Sequence, residues 1–201
     1  MIASGLTFAG GAHAANIVVD GQDDIFLAGQ SSVPTGFPFN SQGNPNDPTD
    51  LNGAGLLPQS FAVTAGEVLT ISATGEVSCC YGNPPPDLNG PDGGGLGGTA
   101  DITGYGNVAG YVGPELALVG LFDGPTTPWS IMVIGSNDVI TVPTGATELY
   151  LGVADALGFD DPPGYYNDNT GSFSVDIQVP EPGTLALFGA GLLGLAWFAA
   201  L

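Results

Sequence analysis

Glycine and proline recur so densely that the body of this chain cannot be helical: 34 glycines and 17 prolines make up a quarter of its 201 residues. A glycine gives up extra backbone entropy in a helix, and a proline lacks the amide donor that a helical turn needs. Short strands joined by many turns remain. The apolar pattern agrees: Phe173, Val175 and Ile177 alternate with Ser172, Ser174 and Asp176, and Leu149, Leu151 and Val153 alternate with Tyr150, Gly152 and Ala154. A period of two marks half-buried strands. Apolar runs at 17–19, 61–63, 68–73, 116–122, 131–134 and 139–142 bring the expected number to about eight. Their spacing is irregular, with long polar connections at 31–59 and 82–110, and no helical periodicity supplies crossovers between parallel strands. The expected fold is all-β, an antiparallel β-sandwich. Connections of that length inside a compact domain are either functional or mobile. No repeat at solenoid periods is present.

Charge narrows the partners. The chain has 20 acidic residues, no Lys or Arg, and a formal net charge of -20. Excess negative charge repels itself and is better tolerated when divalent cations neutralise part of it, although acidity also confers solubility by itself. Nucleic acid is excluded as a partner, because its phosphates are neutralised by basic side chains. The only cysteines, Cys79 and Cys80, are adjacent. They make no disulfide framework and lack the spacing of a zinc site, which leaves two thiols, an intermolecular bridge or a vicinal disulfide.

Both ends read as addresses. Residues 1–14 are small and apolar and finish in Ala12-His13-Ala14, a pattern that signal peptidase accepts before Ala15, although a basic leading region is absent. An apolar first strand is the alternative. Residues 185–201 form a run without charge, near the lower limit of ~17–25 residues for a membrane-spanning helix. They follow Val179-Pro180-Glu181-Pro182-Gly183-Thr184, whose prolines stop a strand from entering the run. With Pro180, Glu181 and Pro182 as its signature, this segment resembles the PEP-CTERM sorting signal of exopolysaccharide-producing Gram-negative bacteria. The resemblance implies processing by an exosortase-type enzyme and transient membrane anchoring through a C-terminal hydrophobic helix. The arginine-rich cluster that follows in that family is absent from this sequence. The expected organisation is a signal-peptide remnant at 1–14, one domain at 15–178 and a sorting tail at 179–201.

Catalysis finds few of its usual residues. His13 is the sole histidine and lies in the segment expected to be removed. Without histidine or lysine, triad, Schiff-base and most general-base schemes are lost. Two carboxylates would suffice for a glycosidase, yet nothing distinguishes a pair among the 20 acids. The expectation is a protein that is not an enzyme.

The strongest constellation is the stretch from Asp155 to Gly171, which supplies Asp155, Asp160, Asp161, Asn167, Asp168 and Asn169 with glycines and prolines to turn the backbone. Calcium takes six to eight oxygen ligands on a loop flexible enough to wrap it. The spacing is not that of an EF-hand, and a hairpin loop rich in Asx turns is the alternative.

From Asp161 through Tyr165, Asn167-Asp168-Asn169-Thr170-Gly171 and on to Val175, together with Gly66-Glu67-Val68-Leu69-Thr70-Ile71 and Tyr81-Gly82, the chain resembles the galactose-binding PA-I-type bacterial lectins. That resemblance implies a jelly-roll or galactose-binding-like sandwich, without the galactose specificity, holding calcium through the backbone carbonyls of Tyr81 and Tyr165, the side chains of Asp168 and Asn169, and one further aspartate. Counting back from the Asn-Thr-Gly end selects Asp161; following the strand 149–153 without a gap selects Asp155, the preferred reading, and makes the next residues an insertion. The histidine and glutamine that hold the hexose in those lectins are missing from the corresponding Asn89-Gly90-Pro91-Asp92-Gly93. Sugar contacts would then fall to Asp92 and to Tyr81 or Tyr165 as an apolar platform.

Two functions remain open. One is an exported surface protein that binds extracellular polysaccharide through calcium. The other is a structural matrix protein, a homo-oligomer among its options, in which calcium only rigidifies a loop.

Overall fold

The computed structural model describes residues 13–34, 53, 55–79, 88–95, 98–156, 160 and 162–180. Expectations at Tyr81, Asp161, Glu181 and Pro182, in most of the leader, and for a C-terminal helix lie outside these residues. Among the described residues, no helix is long and apolar enough to cross a membrane.

The architecture is an antiparallel sandwich, as the alternation requires. Its strands are β1 (His13–Asp20), β2 (Gln59–Ala62), β3 (Val68–Ser78), β4 (Leu88–Asn89), β5 (Thr99–Ile102), β6 (Tyr111–Pro114), β7 (Leu118–Phe122), β8 (Met132–Val133), β9 (Asn137–Thr141), β10 (Glu148–Val153) and β11 (Thr170–Val179). One sheet runs β1-β11-β3-β4, with β9 also paired to β3; the second runs β2-β10-β7-β8; β5 and β6 form a separate two-stranded ribbon. Phe173, Val175 and Ile177 of β11 and Leu69 and Ile71 of β3 meet Leu118 of β7 and Leu149, Leu151 and Val153 of β10 in the main core.

Strand β7 is apolar on both faces, and its other face has a cover of its own. Val119 and Leu121 pack there with Ile25 and Phe26 of a 3₁₀ turn (Ile25–Leu27), Ala100 and Ile102 of β5, and Tyr111 of β6. This second core gives the long 82–110 connection a structural task. Strands β5 and β6 escaped the sequence reading because each is only four residues long in glycine-rich surroundings.

At the start of the chain, β1 begins at His13, upstream of the expected processing point. His13 and Ala14 pair with Val179 and Gln178 of β11. Both ends of the domain therefore leave from one end of the first sheet. Asp20 and Ser172, at the other end of the same pairing, adjoin the loop that carries Asp168 and Asn169.

Candidate metal centre

Strand β10 ends in Val153, and two residues later Asp155 is 2 % exposed. Its amide donates to the Tyr166 hydroxyl at 2.9 Å, its Oδ1 accepts from the Ala156 amide at 2.7 Å, and its carbonyl accepts from Gly164 at 3.2 Å. A bridge between Ala156 and Pro163 closes the base of the connection. Pro163 and Gly164 thus lie beside Asp155.

The returning chain reaches Tyr165, whose φ of 69° is left-handed, an unusual conformation for a residue with a Cβ. A 3₁₀ turn (Tyr166–Asp168) follows, capped by Asn169. Asn169 is 1 % exposed, and its Nδ2 donates to the Gly21 carbonyl at 2.9 Å. The same amide supports the Asp155 carboxylate, and Asp168 lies near enough to oppose its ionisation. Asp155, Tyr165, Asp168 and Asn169 are thus one cluster in space.

Two oxygens of this cluster, Asp155 Oδ2 and Asn169 Oδ1, are buried without a hydrogen-bond partner. Buried acceptors are almost always satisfied, and each exception needs a cause. Burial, with Asp168 and Glu115 adding to it, drives the Asp155 pKa well above the ordinary 3.8. A cation bound there would offset both penalties. Among the described residues, no three His, Cys, Asp or Glu side chains form a metal-holding group. A set dominated by carboxylate, amide and carbonyl oxygens fits calcium and would not satisfy zinc.

The sequence reading missed three acids here. Asp24 is fully buried; its Oδ1 accepts from the Phe26 amide at 2.8 Å, its Oδ2 has no partner, and burial first, then Asp155, raises its pKa well above the ordinary value. Asp23 is also fully buried, with Oδ2 held by Gln59 at 3.0 Å, and burial lifts its pKa to about 6. Glu115 is 3 % exposed and faces Asp155 electrostatically. The acid density of Asp20-Gly21-Gln22-Asp23-Asp24 was the available signal. Among the described residues four carboxylates are buried, in a chain that has no Lys or Arg to compensate them.

The expected sugar contacts fare unevenly. Asp92 is exposed, and its Oδ1 accepts from the Ser136 amide at 2.8 Å, so one oxygen braces a turn. Its loop packs beside the centre, since Gly94 donates to the Glu115 carbonyl at 2.9 Å. Tyr165 is half-buried at the loop itself. Of the sorting signature, Pro180 directly follows β11. Cys79 is disulfide-bonded, and Cys80 lies outside the described residues.

No curated protein matches the chain. A solved structure described as "EclA N-terminal domain; PllA-like lectin" is similar at 20 % identity and a TM-score of 0.41, over 81 % of this chain and 92 % of that one. A likeness at that level carries no functional argument. Residues 178–198 match the family described as the PEP-CTERM protein-sorting motif. The chain therefore carries a PEP-CTERM sorting motif, the mark of an exported protein sorted to the cell surface and processed by an exosortase.

Proposed function

We propose that this is a surface protein of a Gram-negative bacterium whose domain holds calcium and uses it to bind extracellular polysaccharide. The observation that carries the reading is the pair of buried, unpartnered oxygens on Asp155 and Asn169, in a chain without basic residues. Asp155, Asp168 and Asn169 would hold the ion, with the carbonyls of Tyr165 and Tyr81. When bound, calcium supplies open coordination positions for vicinal hydroxyls. The residues of the chain do the rest: the Tyr165 ring offers an apolar face beside the ion, and the free Asp92 oxygen accepts from a hydroxyl.

Topology supports display. The PEP-CTERM tail leaves from the Val179 end of β11, whereas the candidate centre sits at its Thr170 end, one ten-residue strand away. At ~3.3 Å per residue this places the centre about 30 Å from the tail, so a transiently anchored protein would present it away from the membrane. Cleavage before Ala15 would precede folding, because that bond lies in the paired strand β1.

Sedimentation with exopolysaccharide from a producing strain tests the proposal. Binding in calcium that is lost in chelator is expected; equal sedimentation in both would reject it. Retained calcium binding with no polysaccharide bound would favour the structural reading, which the bracing role of Asp92 supports. With no histidine or lysine beyond His13, the domain is proposed to bind without catalysing.

A further inference from the structure

Tyr166 is the largest fully buried side chain among the described residues, and it is polar at its tip. Its ring sits in the main core with Val153 and Phe173. A phenylalanine would fill that space equally well, so the hydroxyl, costly to bury, needs its own explanation. The hydroxyl accepts from the Asp155 amide at 2.9 Å and donates to the Val153 carbonyl at 3.0 Å. The carboxylate of Asp24 interacts with the same hydroxyl and is held by the parallel bridge of Asp24 to Val153 and by capping the first 3₁₀ turn.

The backbone of the same residue opens the second 3₁₀ turn. The Tyr166 carbonyl accepts from the Asn169 amide at 3.1 Å, and its own amide donates to the Gly53 carbonyl at 3.1 Å. One residue therefore joins the two halves of the candidate donor set: its main chain starts the turn that presents Asp168 and Asn169, while its side chain ends on the strand terminus that presents Asp155. The bond from Gly164 to the Asp155 carbonyl and the bridge of Ala156 to Pro163 also tie the two halves, at the base of the connection; the Tyr166 hydroxyl adds a tie at the Asp155 amide itself.

We propose that Tyr166, backed by Asp24, is the positioning residue of the calcium centre, setting the separation of Asp155 from Asp168 and Asn169. This rests on the proposed calcium site. Loss of the hydroxyl leaves the Asp155 amide without its acceptor and frees the strand end to shift, so the carboxylate stops pointing at the ion. Groups that orient metal ligands typically change affinity by about ten- to a hundred-fold when removed.

The test uses terbium as a luminescent calcium substitute on the full chain, with affinity from titration and the number of coordinated waters from lifetimes in light and heavy water. Tyr166→Phe is expected to weaken binding about ten-fold or more and to admit an additional water. Tyr111→Phe, which loses a comparable bond from a buried tyrosine to the Pro114 carbonyl at 2.8 Å, should change neither. Asp24→Asn, which keeps an acceptor for the Phe26 amide, should move both in the same direction as Tyr166→Phe and decides the matter alone if Tyr166→Phe does not fold. Wild-type affinity and water count in both variants would overturn the positioning role and leave the calcium reading intact. Failure of the wild-type chain to bind terbium or calcium would overturn both.

Discussion

Replacing Asp155 by asparagine should act with opposite signs in the presence and absence of calcium. In chelator, the wild-type loop buries a carboxylate that is 2 % exposed, faces Asp168 and Glu115, and has one oxygen unpartnered. Asparagine removes that charge and keeps an acceptor for the Ala156 amide. The variant should therefore melt no lower than wild type without calcium. With calcium at a hundred times its dissociation constant, the wild-type domain gains ~2.7 kcal/mol, because the ion binds the folded state alone. For a domain of this size each kcal/mol moves the melting temperature by ~2–4 °C, so the expected gap between calcium and chelator is about 5–11 °C. Calorimetry should find that gap in wild type and in Asp101→Asn, a change at an exposed position of β5, and should find it closed in Asp155→Asn. A full gap in Asp155→Asn, or a fall in chelator as large as the gap itself, would refute the reasoning.

Further outcomes follow from the same structure. Burial raises Asp23 from 3.8 to about 6, so the folded state binds its proton more tightly; its contribution is fully present below the unfolded value and is lost as pH rises through about 6. Melting in chelator should accordingly fall across that window, and Asp23→Asn should flatten the fall. Gly171 adopts a φ of 84°, and a Cβ there would meet the Glu76 carbonyl of β3, so Gly171→Ala should cost upwards of ~2 kcal/mol in denaturant unfolding. N-terminal sequencing of the exported protein should begin at Ala15; an intact Met1 on surface-sorted material would contradict the assigned leader.

How much of the fold and of the centre was legible in the sequence depended on whether the signal was local. Strand β11 announces itself because one face lies on the core, so polar and apolar residues alternate along it; β10 shows the same period through Leu149, Leu151 and Val153, although its other face packs Tyr150 against the second core. Strand β7 is buried on both faces and reads only as an apolar run. Strands β5 and β6 owe their burial to the second core, a contact that four residues cannot signal by themselves. In the centre, Asp155, Asp168 and Asn169 stood out through the density of Asp and Asn between 155 and 169. Asp24 and Glu115 did not, since only the bridge from Asp24 to Val153 and the turn after β6 bring them to Asp155 from remote parts of the chain. The role of the Tyr166 hydroxyl was hidden for the same reason, because a tyrosine in a strand-rich sequence is most simply a core residue.

A glycan array probed with the exported domain, once in calcium and once in chelator, tests the central claim most directly. Calcium-dependent binding to a set of neutral glycans, abolished in Asp155→Asn and retained in Asp101→Asn, is the predicted result. Binding that survives both chelation and Asp155→Asn would contradict it.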